Sequence, residues 1–278
     1  MKIINGLVFM NGQHFEKGNL TIADERIADF CSICDEKKTL HFYEEEVLDA
    51  TGCYVVPGFI DIHFHGCMGQ DFSDASLQGL CQMASYELQN GITSICPATM
   101  TLPEENLQQI VSCSKLFCET QGDKKMANLL GINLEGPFIS EQKKGAQNSK
   151  YILPPDSAMF KRLLDASQGF LKLTTLAPET KGAMEFIETF HKEVAISLGH
   201  TMADYKTASE AFRKGANHVT HLFNAMPLLN HRESGLIGAA FDMTKEKNIY
   251  TELICDGIHV SDPVIRSAFA LFADNNIV

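Results

Sequence analysis

Basic charge is scarce in this chain: 23 Lys and Arg stand against 35 Asp and Glu, a formal net charge of −12 over 278 residues. With no basic field to attract phosphate backbones, a nucleic-acid partner and an anionic membrane surface are both excluded. Long apolar runs are missing too, and none approaches membrane-spanning length. The N-terminal stretch "MKIINGLVFMNGQHFEKGNLTIADERIADF" has no extended apolar region and is broken at Asn5, Gly6 and Asn11, so no signal peptide is expected. A second cysteine pair is also lacking. "CSIC", Cys31 to Cys34, is a lone C-x-x-C, and the nine cysteines sit mostly in apolar segments such as "ITSICPA" and "TELICDG". That pattern suggests reduced thiols and a cytoplasmic protein rather than a zinc ribbon or a disulfide framework.

What is present is an ordinary globular composition, 45% hydrophobic and 21% charged, long enough for a full-sized core. Residues 1–53 alternate short apolar stretches with turn residues and read as a small β domain of hairpins. Residues 54–278 change rhythm. The strand candidates "YVVPGFIDI", "ITSICPA", "NLLGINLE", "FLKLTTLAP", "EVAISLG", "NHVTHL", "IYTELICD" and "NIV" alternate with segments of helical period. Leu77, Leu80, Ala84 and Leu88 share one helical face, as do Leu107, Ile110, Ser114 and Phe117. Strand starts near 55, 91, 127, 170, 193, 217, 249 and 276 give a mean step of about 32 residues, the unit length of a (β/α)8 barrel. The Gly-rich dinucleotide fingerprint of an open doubly wound sheet is absent after the first strand. The expected fold is therefore α/β, a (β/α)8 TIM-like barrel with a small N-terminal β-sandwich-like domain. Its eighth strand has barely begun at Val278.

In such barrels chemistry collects at the C-terminal ends of the strands. The first strand ends at His63 and His65, whose two-residue spacing places both rings on one face of an extended chain. The third ends at Glu135, the fifth at His200, the sixth at His221, and the seventh at Asp256 with His259 nearby. Unconnected structural histidines have no reason to share one rim. Imidazole and carboxylate together suit zinc, iron, manganese and related divalent ions, so a hydrolytic metal site is expected. His14, His41, His191 and His218 fall elsewhere and read as surface or packing residues.

The segments "PGFIDIHFHG", "NLEGPFIS", "KKGAQN", "SLGHT", "THLFNAM" and "DGIHV", in this order, resemble the N-acetylglucosamine-6-phosphate deacetylases of the amidohydrolase superfamily. The resemblance runs through the whole chain. It implies deacetylation of N-acetylglucosamine 6-phosphate to glucosamine 6-phosphate and acetate, with a divalent metal, zinc foremost and iron, manganese or cobalt as alternatives. It further implies that Glu135, His200 and His221 bind one ion, and that His63 and His65 with a bridging Glu135 hold a second, giving one or two per subunit. Substrate contacts are implied at Ala146, Asn224, Ala225, Arg232, Asp256, Gly257, Ile258 and His259. His259 would stabilise the carbonyl oxygen, and Arg232 would reach the sugar phosphate across a homodimer. The family's proton-transferring aspartate lies at the end of the eighth strand, and no residue here matches it, since Asp274 precedes that strand. A fragment of a complete enzyme is therefore expected, with a non-catalytic metal- or sugar-phosphate-binding protein as the alternative. A dihydroorotase-like cyclic amidohydrolase is the other enzyme reading, but its bridging carboxylated lysine has Glu135 in its place.

Overall fold

An antiparallel meander opens the chain: β1 (Lys2–Met10), β2 (His14–Ala23) and β3 (Arg26–Ser32). Asp24 and Glu25, both with left-handed backbone, form the two-residue turn between β2 and β3, the geometry that matches the twist of a tight hairpin. Two short strands, β4 (Val47–Asp49) and β5 (Tyr54–Val55), add in parallel to β1. The computed structural model describes residues 1–12, 14–32, 46–120, 125–273 and 276–278. His41, Asp274 and the second cysteine of the C-x-x-C, Cys34, lie outside the described residues.

The chain divides into the units Met1–Phe59 and Ile60–Val278. The strand expected from residue 54 is split. Tyr54 and Val55 pair with Leu7 and Val8 of β1, and only β6 (Phe59–Asp61) joins the second sheet. Pro57, which has no N–H to donate, and Gly58 separate the two.

The second unit repeats strand and helix. After β6 comes a small hairpin, β7 (Gly66–Cys67) and β8 (Gln70–Asp71), then α1 (Leu77–Gln89), β9 (Ile92–Ile95) and α2 (Glu104–Thr120). Next are β10 (Asn128–Leu129), β11 (Ile132–Glu135), α3 (Ser157–Ser167), β12 (Leu171–Leu176), α4 (Ala183–Phe190) and β13 (Ala195–Leu198). The series ends with α5 (Tyr205–Lys214), β14 (His218–Val219), α6 (Gly235–Met243), β15 (Tyr250–Thr251) and α7 (Asp262–Leu271). The strands pair in the order β6, β9, β10, and then β11 through β15 in parallel. A parallel bridge between Ala98 and Asn133 joins the two runs, and another from Thr251 to Ile277 continues them into an eighth position. This is the strand order of a TIM-like barrel. The single strand expected over "NLLGINLE" is two short ones, because β10 pairs back to β9 while β11 pairs forward to β12.

The helices form where the sequence pattern places them. Leu80 and Ala84 of α1 are buried, with Leu77 and Leu88 packed at the margin of the core, and Leu107, Ile110, Ser114 and Phe117 of α2 are all buried. Side-chain caps fix the helix starts: Ser76 Oγ accepts from Gly79 N at 3.1 Å, Asp156 accepts from Ala158 N and Met159 N, and Asp204 from Thr207 N. Each such cap is worth about 1 kcal/mol. Between α3, α4 and the segment after β11, the rings of Phe138, Phe160, Phe186 and Phe190 meet edge-on or tilted, with neighbouring centroids 4.8 to 6.4 Å apart, arrangements favoured by their quadrupoles. Among the described residues no helix is long and apolar enough to cross a membrane. The eight described cysteines are free thiols.

Candidate metal centre

Glu135, the last residue of β11, is 2% exposed and surrounded by imidazoles. Its Oε1 lies 3.1 Å from His200 Nε2, 3.1 Å from His221 Nε2 and 3.3 Å from His63 Nε2, while its Oε2 lies 3.3 Å from His65 Nε2. Two groups of potential ligands result, His63 with His65 and Glu135, and Glu135 with His200 and His221. They share the carboxylate. All five residues stand at or just beyond the C-terminal ends of strands: Glu135 ends β11, His63 and His65 come after β6, His200 after β13 and His221 after β14. The H-x-H pair stands just beyond the last paired residue of β6, with Asp61 Oδ1 accepting the N–H of His63 at 2.9 Å.

The opposite ring nitrogens decide the chemistry. His65 Nδ1 lies 3.2 Å from Ala98 O, His200 Nδ1 2.7 Å from Lys143 O, and His221 Nδ1 3.2 Å from Asn224 O. A carbonyl can only accept, so each of these rings carries its proton on Nδ1 and leaves a lone pair on Nε2. His63 Nδ1 meets Glu252 Oε2 at 2.6 Å. The Nε2 lone pairs therefore converge on one another and on a carboxylate: His200 Nε2 and His221 Nε2 are only 3.1 Å apart. Facing acceptors repel unless a cation lies among them, so this donor set fits a divalent metal, each ring being oriented by an outer partner.

The backbone is held in uncommon conformations to achieve this. His200 (φ 46°) and His221 (φ 29°) both lie in the left-handed region, which non-glycine residues visit rarely and mostly at functional sites. Gly136 follows Glu135 at φ 88°, and a Cβ there would stand 2.2 Å from Thr101 Oγ1. Gln147 completes the carboxylate's surroundings: its Nε2 donates to Glu135 Oε2 at 2.6 Å and its Oε1 accepts from Thr101 N at 2.6 Å.

Burial alone would raise the Glu135 carboxyl, but with protons rather than a cation among the ring nitrogens, hydrogen bonds from His200, His221, His63 and His65 hold it well below the usual carboxylate range. Burial likewise opposes charge on His63, yet the Glu252 charge and the contact with Glu135 push it up to about 10. Glu252 is held low despite its burial, chiefly by the His63 charge.

The remaining expected site residues are placed differently. Asp256 and His259 were expected to end the seventh strand, but β15 stops at Thr251 and the residue at its end is Glu252. The Asp256–His259 segment forms an exposed turn in which Asp256 Oδ1 accepts from Ile258 N at 2.8 Å and His259 N at 2.9 Å, and Oδ2 lies 2.7 Å from His259 Nδ1. Those two backbone N–H groups hold Asp256 down to about 2. Gly257 takes the left-handed conformation that the turn needs, and Ile258 is 86% exposed. Asn224 and Ala225 are tied to the ligand loops, through the His221 contact and by Ala225 O accepting from Thr201 N at 3.1 Å. Arg232 is exposed, with its backbone N–H on Asn230 Oδ1, and Ala146 is exposed in the loop before Gln147. No hydrogen bond or ion pair among the described residues joins Arg232, Ala146 or His259 to the five clustered side chains. His218 is fully inside, 2.8 Å from Ser197 Oγ, and burial pushes it down. His14 is exposed on β2, and His191 turns its Nδ1 to the Ile187 and Glu188 carbonyls.

Glu252 and Gln147 are the residues that sequence reasoning missed. The signal for Glu252 was available in "IYTELICD", as an acidic residue inside an apolar strand; Gln147 lies in "KKGAQN", a segment that carries the resemblance but gives no sign of a contact with Glu135.

Comparison with known proteins gives the chain's family. The model of the amidohydrolase family matches residues 54–274. The N-acetylglucosamine-6-phosphate deacetylase of Bacillus subtilis (strain 168) is 38% identical over 238 residues, which are 85% of this chain and 59% of the relative. The crystal structure of the Mycobacterium smegmatis N-acetyl-D-glucosamine-6-phosphate deacetylase superposes on the whole chain with a TM-score of 0.88 at 28% identity, covering 69% of that protein. A mutant of the same M. smegmatis enzyme, solved in complex with N-acetyl-D-glucosamine-6-phosphate, superposes with a TM-score of 0.86 at 27% identity, over all of this chain and 69% of its own. The present chain thus spans about six tenths of the length of the curated relatives it matches.

Proposed function

We infer the activity from one premise: the chain belongs to the amidohydrolase family. We propose that it is a divalent-metal hydrolase that deacetylates N-acetylglucosamine 6-phosphate to glucosamine 6-phosphate and acetate. The observation that carries this reading is the convergence of four Nε2 atoms on the one buried carboxylate, Glu135. The names of the relatives supply the substrate class. Glu135, His200 and His221 would hold one cation and His63, His65 and Glu135 a second. What a bound divalent cation supplies is Lewis acidity, which makes water a nucleophile near neutral pH and polarises an amide carbonyl. Zinc suits four-coordinate nitrogen and oxygen sites, and iron, manganese and cobalt accept the same ligands.

The chain's own residues do the rest. Asp256 holds His259 by Nδ1, so Nε2 is the atom of that ring left to meet the acetamide oxygen as charge develops on it. Arg232 presents a planar fork for the two phosphate oxygens it can bridge, in a homodimer where it reaches the neighbouring subunit's pocket. Asn224 and Ala225, fixed beside His221, and Ala146, next to Gln147, would contact the sugar. The free thiols favour a cytoplasmic setting. Incubating the metal-loaded protein, extended to the full length of its relatives so that the eighth-strand aspartate is present, with N-acetylglucosamine 6-phosphate and following acetate tests the proposal; turnover is expected, and its absence would overturn it. A panel of cyclic ureides beside the phosphorylated sugar tests the cyclic-amide alternative.

A further inference from the structure

Glu252 stands at the end of β15 with its side chain 7% exposed, inside the rim but outside both groups of metal ligands. One oxygen, Oε2, accepts twice: from His63 Nδ1 at 2.6 Å and from the backbone N–H of His221 at 2.9 Å. The other, Oε1, has no hydrogen bond among the described residues; His218 Nδ1 lies 3.9 Å away and is engaged by Ser197 at 2.8 Å. A single carboxylate oxygen therefore ties the ring of a residue from the first strand of the barrel to the backbone of a ligand from the sixth.

We infer that Glu252 is a positioning residue that sets occupancy of the His63–His65 side of the centre, an inference that rests on the divalent-metal reading above. His65, His200 and His221 turn Nδ1 to neutral carbonyls, whereas His63 alone turns it to a carboxylate. A carboxylate on Nδ1–H fixes ring rotation and tautomer and raises the donor strength of Nε2, effects typically worth 10- to 100-fold in metal affinity. The two halves of the centre are consequently unequal. Glu252 touches the Glu135, His200 and His221 pocket only through the backbone N–H of His221, whereas the opposite pocket depends on it through the His63 ring.

The test is a Co2+ titration of the protein, followed by the visible absorption of the bound ion and by metal analysis after gel filtration. The parent is expected to bind two ions per chain. In Glu252→Gln, which keeps the volume and one acceptor, one ion should weaken about 10- to 100-fold and the other should stay within about twofold. Adding Glu252→Gln to His63→Ala should weaken neither ion further, because the carboxylate acts through that imidazole. Glu252→Asp, with the charge on a shorter stem, should recover part of the loss; should the Gln variant not fold by circular dichroism, the Asp variant carries the same comparison. Equal weakening of both ions, additive losses in the double variant, a single ion in the parent, or an unchanged Gln variant would each overturn the inference while leaving the metal reading intact. A parent that binds no Co2+ would overturn both.

Discussion

His200 Nε2 and His221 Nε2 lie 3.1 Å apart, and each ring has its Nδ1 committed to a backbone carbonyl, Lys143 O for one and Asn224 O for the other. Neither ring can turn its N–H toward the other without breaking that bond. The left-handed backbone at both histidines holds the two lone pairs face to face. This arrangement is stable only with positive charge between or beside the nitrogens, as a proton or as a metal ion.

The first prediction follows from the small number of ligands. His200→Ala or His221→Ala removes one of three side chains around that pocket, and the loss of bound metal should exceed the 10- to 100-fold that outer-shell changes produce. Metal analysis after dialysis checks it. Metal at the parent level in His221→Ala would refute the ligand assignment.

A second prediction concerns protons. His63 is raised from its ordinary 6.5 to about 10 in the metal-free site. At pH 8 the ring is therefore protonated, and an ion binding at Nε2 must displace that proton. Calorimetric titration with Zn2+ in buffers of different ionisation enthalpy should report release of about one proton from this residue. The sign for stability runs the same way: a pKa raised on folding favours the folded metal-free protein below pH 6.5, and this contribution is lost as the pH climbs through 10. Bound metal should reverse the trend, since acid then competes for the ligands. A metal-free protein whose denaturant midpoint did not fall between pH 6.5 and 10 would contradict the His63–Glu252 pairing.

The third prediction tests the turn beneath Glu135. Gly136→Ala meets two penalties, a left-handed φ of 88° and a Cβ 2.2 Å from Thr101 Oγ1. Overpacking of this kind destabilises by about 1–3 kcal/mol. Gly12→Ala provides the control, because φ there is 69° with nothing within 4 Å of the new Cβ. Urea midpoints should fall clearly further for Gly136→Ala than for Gly12→Ala, and metal affinity should fall only in the former. Equal shifts would mean that contact with Thr101 plays no part.

The five clustered residues were legible in the sequence for one physical reason: barrel strands run parallel, so residues that end successive strands must meet on one rim. Glu135, His200 and His221 needed no more than that. His63 and His65 follow the same logic, although β6 stops at Asp61 and they meet Glu135 from the extended segment beyond it. The acidic signal of Glu252 did not suffice to place it on the rim, because the apolar run "IYTELICD" continues past the pairing. β15 ends at Thr251, yet Glu252 N still donates to Val219 O at 3.0 Å and Glu252 O accepts from Leu222 N at 2.8 Å, and apolar character alone does not mark which residue of such a run turns its side chain to the rim. The split of Tyr54–Val55 from Phe59–Asp61 was hidden in the same way, since both halves are apolar and only the partner strand distinguishes them. Gln147 was out of reach because its role comes from a loop folding back over Glu135, which leaves no periodic trace.

The last prediction concerns Arg232. Its side chain is exposed, and its backbone N–H is held by Asn230 Oδ1 at 3.1 Å, so Arg232→Ala should leave the loop in place and shift stability by no more than about 0.5 kcal/mol. If the guanidinium binds the sugar phosphate, the variant loses a charge-assisted pair worth about 1.5–3 kcal/mol, or about 10- to 100-fold in KM for N-acetylglucosamine 6-phosphate. Metal content should not change, because Arg232 touches none of the five ligands, and kcat should change less than KM, since phosphate binding is the same in ground and transition states. Arg232→Lys should recover only part of the loss, as an ammonium replaces the fork by a point charge. The decisive quantity is the ratio of kcat/KM for the phosphorylated sugar to that for N-acetylglucosamine. A ratio equal in variant and parent would remove Arg232 from the phosphate site, whatever happened to the rate itself.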